Sequence, residues 1–203
     1  MFKIICVTSR SLCRGDFLTQ IESIAAARPD SIILREKDMN VLDYAALACT
    51  VMDICGKFGV SCTLHSFVRE ASELGAKNLH LPLSVLRVLT DTEKDRFKVI
   101  GASCHSVSDA IEAEQIGASY ITAGHVFNTD CKKGLPGRGL DFLREVCRNT
   151  SLPVYAIGGI STDNIADIAA AGASGACIMS GFMRCTDPTG YIKKLRGELE
   201  NAQ

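Results

Sequence analysis

The chain has 203 residues, 47% of them hydrophobic, which is enough for one substantial core; no linker-like stretch divides it, so residues 1–203 read as a single domain. A formal net charge of -1 excludes a general affinity for polyanions such as nucleic acid, and any anion selectivity must be local. The ten cysteines include no CxxC pair, which points to reduced thiols in a cytoplasmic protein, and no segment has the character of a signal peptide or a membrane span.

Short runs of β-branched and aliphatic residues recur along the chain at Ile4–Thr8, Ser31–Leu34, Ser61–Leu64, Asn78–Leu81, Val99–Ala102, Tyr120–Ala123, Val154–Ile157 and Ala176–Met179. Between these eight expected strands lie segments with helical spacing, such as Leu42, Ala45, Ala46, Cys49 and Met52, with Asp16, Ser106 and Thr162 placed as caps. The phrases ELGAK, QIGAS and AAGAS each end a helix on glycine and lead into the next strand. Strands joined in this way by helical crossovers pair in parallel. The pattern predicts a single (β/α)₈ TIM barrel of α/β class, with an open doubly wound sheet as the other architecture it fits.

A barrel of this kind carries its site at the C-terminal ends of the strands, so chemistry is expected just after each apolar run. Arg35, Glu36, Lys37 and Asp38 follow the second run, His65 and Ser66 the third, and Ser103, Cys104 and His105 the fifth. His125 follows the sixth, Gly158 and Gly159 the seventh, and Ser180 and Gly181 the eighth. Gly158, Gly159, Ser180 and Gly181 are the expected phosphate-binding residues, because glycine N–H groups and a helix start hold a phosphate without a basic side chain.

The segment Tyr120–Gly139, YITAGHVFNTDCKKGLPGRG, is the richest in chemistry. A buried strand gives way at Gly124 to a loop that opens on His125, an imidazole able to exchange protons near neutral pH. Lys132 and Lys133 then offer charge to an anionic substrate, and GLPGRG suits a loop that covers it.

Taken together, ILREKD, GASCHS, GHVFNTDCKKGLPGRG, YAIGGIS and IMSG resemble the thiamine phosphate synthase superfamily over nearly the whole chain. The resemblance implies a barrel that handles a thiazole phosphate and, in the synthases, joins it to a pyrimidine pyrophosphate with Mg²⁺. Synthases place an Asn-Asp pair where this chain has His65 and Ser66, and a second acidic metal ligand where it has Val85; they carry Pro where it has His125. GHVF with TDCKKG is similar instead to the TenI-like branch, the thiazole tautomerases. That branch implies an isomerase in which His125 is the catalytic acid/base that shifts one proton and so aromatises a carboxylated thiazole phosphate, with no cofactor and no metal. The resemblance further implies that Thr129, Asp130 and Cys131 line the thiazole with Lys132 assisting at the phosphate, and that Arg35, Lys37 and Ser103 occupy the positions that grip the pyrimidine substrate. The expected partner is a small-molecule thiazole phosphate, with no nucleic acid and no membrane, in a protein compatible with a homo-oligomer. The alternatives are a thiamine phosphate synthase and a non-catalytic thiazole-phosphate-binding regulatory barrel.

Plainer readings stand beside several of these. His65, His80 and His105 read as structural hydrogen bonders, Arg35 and Lys37 as rim ion pairs with Glu36 or Asp38, and Lys133 as solvated. Cys104 and Cys131 lack a base partner in either motif.

Overall fold

A computed structural model describes residues 1–132 and 134–201. The eight strands are β1 (Lys3–Val7), β2 (Ser31–Leu34), β3 (Ser61–His65), β4 (Asn78–Pro82), β5 (Val99–Cys104), β6 (Tyr120–Gly124), β7 (Val154–Ile157) and β8 (Gly175–Ile178). All pair in parallel in chain order, and β8 pairs with β1 to close the barrel. The expected strands differ from these mainly at their ends. β3 through β6 run one or two residues further than the apolar runs, because the residues after those runs keep the ladder register, as in the pairings of His65 with His80 and of Pro82 with Ser103.

Helices α1 (Phe17–Ala26), α2 (Val41–Phe58), α3 (Val68–Glu73), α4 (Leu83–Leu86), α5 (Asp91–Lys94), α6 (Val107–Gln115), α7 (Gly139–Arg148), α8 (Ile165–Ala170), α9 (Ser180–Met183) and α10 (Pro188–Asn201) lie between and after the strands. Asp16 and Ser106 cap α1 and α6 by accepting from the Thr19 and Asp109 amides at 2.8 and 3.0 Å. Thr162 caps nothing, since α8 begins only at Ile165 and the Asn164 side chain reaches back to the Ser161 amide. Gly75, Gly117 and Gly172 have positive φ, as the three helix-ending phrases require. Among the described residues no helix is long and apolar enough to cross a membrane.

Alternation along each strand sorts side chains into two layers. Ile4, Cys6, Ile32, Leu34, Leu64, Leu79, Leu81 and Ile121 point outward and merge with helix residues such as Ile21, Val51, Leu143 and Leu195 into the main core. A smaller cluster of Ile5, Val7, Ile33 and Cys177, joined by Tyr155, Ile157 and Met179, fills one side of the barrel interior. The other side is polar: Thr63, His65, His80, Tyr120 and Thr122 are all buried. Four rings run in a row there, with centroids 5.5 Å apart from His65 to His80 and from His80 to Tyr120, and 4.9 Å from Tyr120 to Tyr155.

Gly101 makes room for that row. A Cβ on Gly101 would collide with the Tyr120 ring and with His80 Nδ1, neither of which has space to withdraw in a filled barrel. Gly101→Ala is therefore expected to destabilise the fold by about 1–3 kcal/mol. A fall in the urea midpoint at constant slope reads this directly, and an unchanged midpoint would show that the rings can shift without cost.

Candidate active site

Loops after the strands enclose two adjoining cavities of about 730 and 610 Å³ at the C-terminal end of the barrel. Both are lined by Leu12, Thr129, Lys132, Gly159, Ile160 and Ser180, so they form one cleft of the size small phosphorylated substrates need. Arg35, Lys37, His65, Ser103, His105, His125, Gly158 and Cys177 belong to the deeper part. Asn128, Asp130, Ser161 and Arg184 belong to the outer part. Of the residues expected at the site, Gly181 lines neither, its Cα being packed against the Tyr191 hydroxyl and Ile178. Lys133 and the Cys131 side chain lie outside what the structure describes.

The acidic and basic residues of Arg35-Glu36-Lys37-Asp38 are sorted to opposite sides. Glu36 is buried and accepts from Thr8 Oγ1 at 2.7 Å and from the Arg10 amide at 3.0 Å, while the Arg10 side chain reaches Glu36 at 3.4 Å and Asp38 at 3.0 Å. The plainer reading of Arg35 and Lys37 as rim ion pairs with these carboxylates is not what the structure shows, since both acids pair with Arg10. Arg35 and Lys37 face the cleft instead. Burial, followed by the nearby charges of Arg35 and Lys132, pulls the Lys37 ammonium below its ordinary pKa.

Two interior histidines support the floor of the cleft. His80 bonds Tyr120 Oη at 3.0 Å through Nδ1 and Ser103 Oγ at 2.9 Å through Nε2, which fixes the hydroxyl that Ser103 shows to the cleft. His65 is held by Ser66 Oγ at 2.6 Å, and its amide donates to the Tyr44 hydroxyl, which in turn donates to the Leu34 carbonyl. Burial is the main reason that their pKa values fall, to about 2 for His65 and about 3 for His80; His80 and the cations Lys37 and Arg35 add to it for His65. Both imidazoles are neutral at physiological pH. The structural reading of His80 thus holds, and His65 adds a neutral imidazole to the cleft wall.

His125 follows β6, and its Nε2 lies 3.3 Å from the Leu135 carbonyl, so the imidazole touches the covering loop as well as the cleft. Backbone bonds clamp this segment to β7: Val126 donates to the Ile157 carbonyl at 2.9 Å and Phe127 to the Gly158 carbonyl at 3.0 Å. Glycine is required at positions 158 and 159, where φ is +103 and +68 and a Cβ would strike His125 or the Asn128 carbonyl. The Gly159 carbonyl accepts from Asn164, whose side-chain oxygen also holds the Ser161 amide, so this loop is braced beside the outer cavity. His105 donates its amide to Asp109 at 2.7 Å and bonds the Gly124 carbonyl through Nδ1 at 3.2 Å, as a structural hydrogen bonder does.

Sequence reading passed over Ser9, Ser11 and Leu12 after β1, and Ser161 and Arg184 in the later loops. The rule that located the other residues, polar side chains directly after an apolar run, applies equally to Thr8-Ser9-Arg10-Ser11.

A Mg²⁺ site of the kind the synthase resemblance implies does not fit these residues. Ser66 is bonded to His65 and Val85 packs against the core; neither lines the cleft. Asp109 and Asp130 stand in different parts of the cleft, and among the described residues no group of three or more His, Cys, Asp or Glu could hold a metal ion.

Comparison with known proteins adds an independent line. A family model described as thiamine monophosphate synthase matches residues 4–182. The thiamine-phosphate synthase of Clostridium beijerinckii is 30% identical over 97% of this chain and 95% of its own length. That of Coprothermobacter proteolyticus is 33% identical over 96% and 93%. The solved thiamine phosphate pyrophosphorylase of Pyrococcus furiosus superposes with a TM-score of 0.84 at 26% identity, over 99% of this chain and 96% of that one. These relatives overturn the expectation of a thiazole tautomerase: likeness over the whole chain lies with synthases, which are transferases, and a handful of loop residues around His125 had pointed the other way.

The neutral histidines generate a pH dependence. Unfolding restores each to a pKa near 6.5, so below that value the unfolded chain binds more protons than the folded one. Their contribution is intact above about pH 6.5 and declines as pH falls toward the folded values of about 2 and 3. Stability is expected to drop by up to about 1.4 kcal/mol per pH unit per histidine below pH 6, measured by urea unfolding between pH 7.5 and 5. Equal stability at both ends would contradict buried neutral imidazoles.

Proposed function

The chain belongs to the thiamine monophosphate synthase family, and from that premise we propose that it is a transferase joining a thiazole phosphate to a pyrimidine pyrophosphate. The observation that carries this reading is a single cleft with two different anion-holding ends. One end offers braced glycine backbone and hydroxyls at Gly159, Ser161 and Ser180; the other offers the side chains of Arg35 and Lys37 beside Ser103, and Lys132 lies between them. An isomerase acting on one phosphate needs only the first end.

In the proposed reaction the thiazole phosphate is held by the glycine end, as helix starts and loop amides hold phosphates. Thr129 and Asp130 flank the ring, and Ser103 with Arg35 and Lys37 orients the pyrimidine pyrophosphate. The thiazole ring nitrogen uses its lone pair to form a bond to the pyrimidine methylene carbon. The methylene carbon–oxygen bond breaks, and pyrophosphate departs with its electron pair toward the cationic end, which stabilises the charge as it develops. No proton has to move to make this bond. His125 is then a wall of the thiazole subsite rather than an acid/base, and the neutral His65 adds no charge to that of Arg35 and Lys37.

Purified protein supplied with both substrates is expected to form thiamine phosphate, followed by oxidation to the fluorescent thiochrome. No product under any metal condition would sink the transferase reading. In the same assay His125→Ala is expected to keep kcat within about tenfold of the parent, since only a contact is lost. A loss of 10²–10⁴-fold, the size typical of a missing general acid or base, would return His125 to the chemistry.

A further inference from the structure

We infer that this chain binds the pyrophosphate group as the metal-free anion, with Arg35, Lys37 and Lys132 in place of a divalent ion. The inference rests on the transferase reading for the identity of the ligand, and on the charge arrangement of the cleft for the absence of a metal requirement.

Three observations converge. The acids adjacent to Arg35 and Lys37 are engaged elsewhere, Glu36 and Asp38 by Arg10, and Asp130 stands in the outer part of the cleft. Asp109, the acid in the deep part of the cleft, accepts from the His105 amide at 2.7 Å, and Arg87 stands at the same wall. Among the described residues, Arg35, Lys37 and Lys132 then have no carboxylate within 4.0 Å, although all three line the same space. Finally, the lysine at the centre of this group already feels the other two, since its ammonium is disfavoured by burial and by the charges of Arg35 and Lys132.

Like charges that line one cleft without a partnering carboxylate repel one another, and a polyanion relieves that repulsion. A divalent cation aggravates it. Mg²⁺ entering alone would meet three positive charges and, among the described residues, no cluster of acids able to hold it, since Asp109 and Asp130 stand in different parts of the cleft, while Mg²⁺ arriving on pyrophosphate would cancel part of the ligand charge that the three side chains meet. The two carboxylates that the family resemblance leads one to expect are absent, which leaves the cations lining the cleft to meet the pyrophosphate charge.

The test is calorimetric titration of the intact protein with inorganic pyrophosphate, in EDTA and in excess Mg²⁺. Affinity is expected to be as high or higher in EDTA, and to fall as ionic strength rises. Lys37→Met and Arg35→Met should each weaken pyrophosphate binding about tenfold or more, with Lys37→Arg restoring most of it and circular dichroism unchanged. Pyrophosphate binding that is tenfold tighter in Mg²⁺, or a stoichiometric Mg²⁺ site in the free protein, would overturn the inference. Turnover separates this result from the transferase reading. Product formed only with Mg²⁺ would overturn the metal-free site and leave the transferase standing. Metal-independent pyrophosphate binding with no product in any condition would support the anion site and remove the transferase.

Discussion

Closure of the sheet is the constraint on which everything else rests. Residues 3 to 6 of β1 pair with 175 to 178 of β8, so a strand from the start of the chain and one near its end complete a ring. Only then do eight loops that are distant in sequence face one another across a single cleft. Arg35 after β2, Lys132 after β6 and Gly159 after β7 meet because the ladder leaves no edge and therefore no freedom in the order of their loops.

Within that frame the decisive local event is the capture of Glu36. Arg35, Glu36, Lys37 and Asp38 are consecutive, and as an exposed run they would largely neutralise one another. Thr8 and Arg10, carried on the end of β1, draw the acids to the outer side of the strand. A segment with no net charge thereby presents a positive face to the cleft. The overall charge of -1 conceals this, because local potential depends on which charges a cavity wall separates rather than on their sum.

The barrel was legible in the chain because each strand is a short apolar run and α3, α6 and α8 end on glycines with positive φ, signals that survive without tertiary context. The ends of β3 to β6 were less legible, since His65, Pro82 and Ser103 do not read as strand residues until the neighbouring strand supplies their register. Site positions at the C-terminal ends followed from the architecture, which is why Arg35, Lys37, Ser103, His125 and Gly159 fall in the cleft, whereas Gly181, the second residue of α9, packs against Tyr191 and Ile178. The pairing of Arg10 with Glu36 and Asp38 was invisible, for it joins residues 26 and 28 positions apart. The branch of the family was misread from the residues around His125. A few positions near the chemistry differ for many reasons, whereas similarity along 200 residues reflects the whole scaffold.

The row of rings across the barrel has a consequence for how such a molecule can change. His80 serves the hydroxyls of Tyr120, Ser103 and, more weakly, Thr122 at once, and Gly101 is small because that row is large. Replacing His80 with an apolar residue would leave the buried Tyr120 hydroxyl and the half-buried Ser103 hydroxyl without this partner, and enlarging Gly101 would displace both rings. The positions of this layer are therefore coupled: a change at one is accommodated only together with changes at its neighbours, so the polar half of the interior behaves as a set.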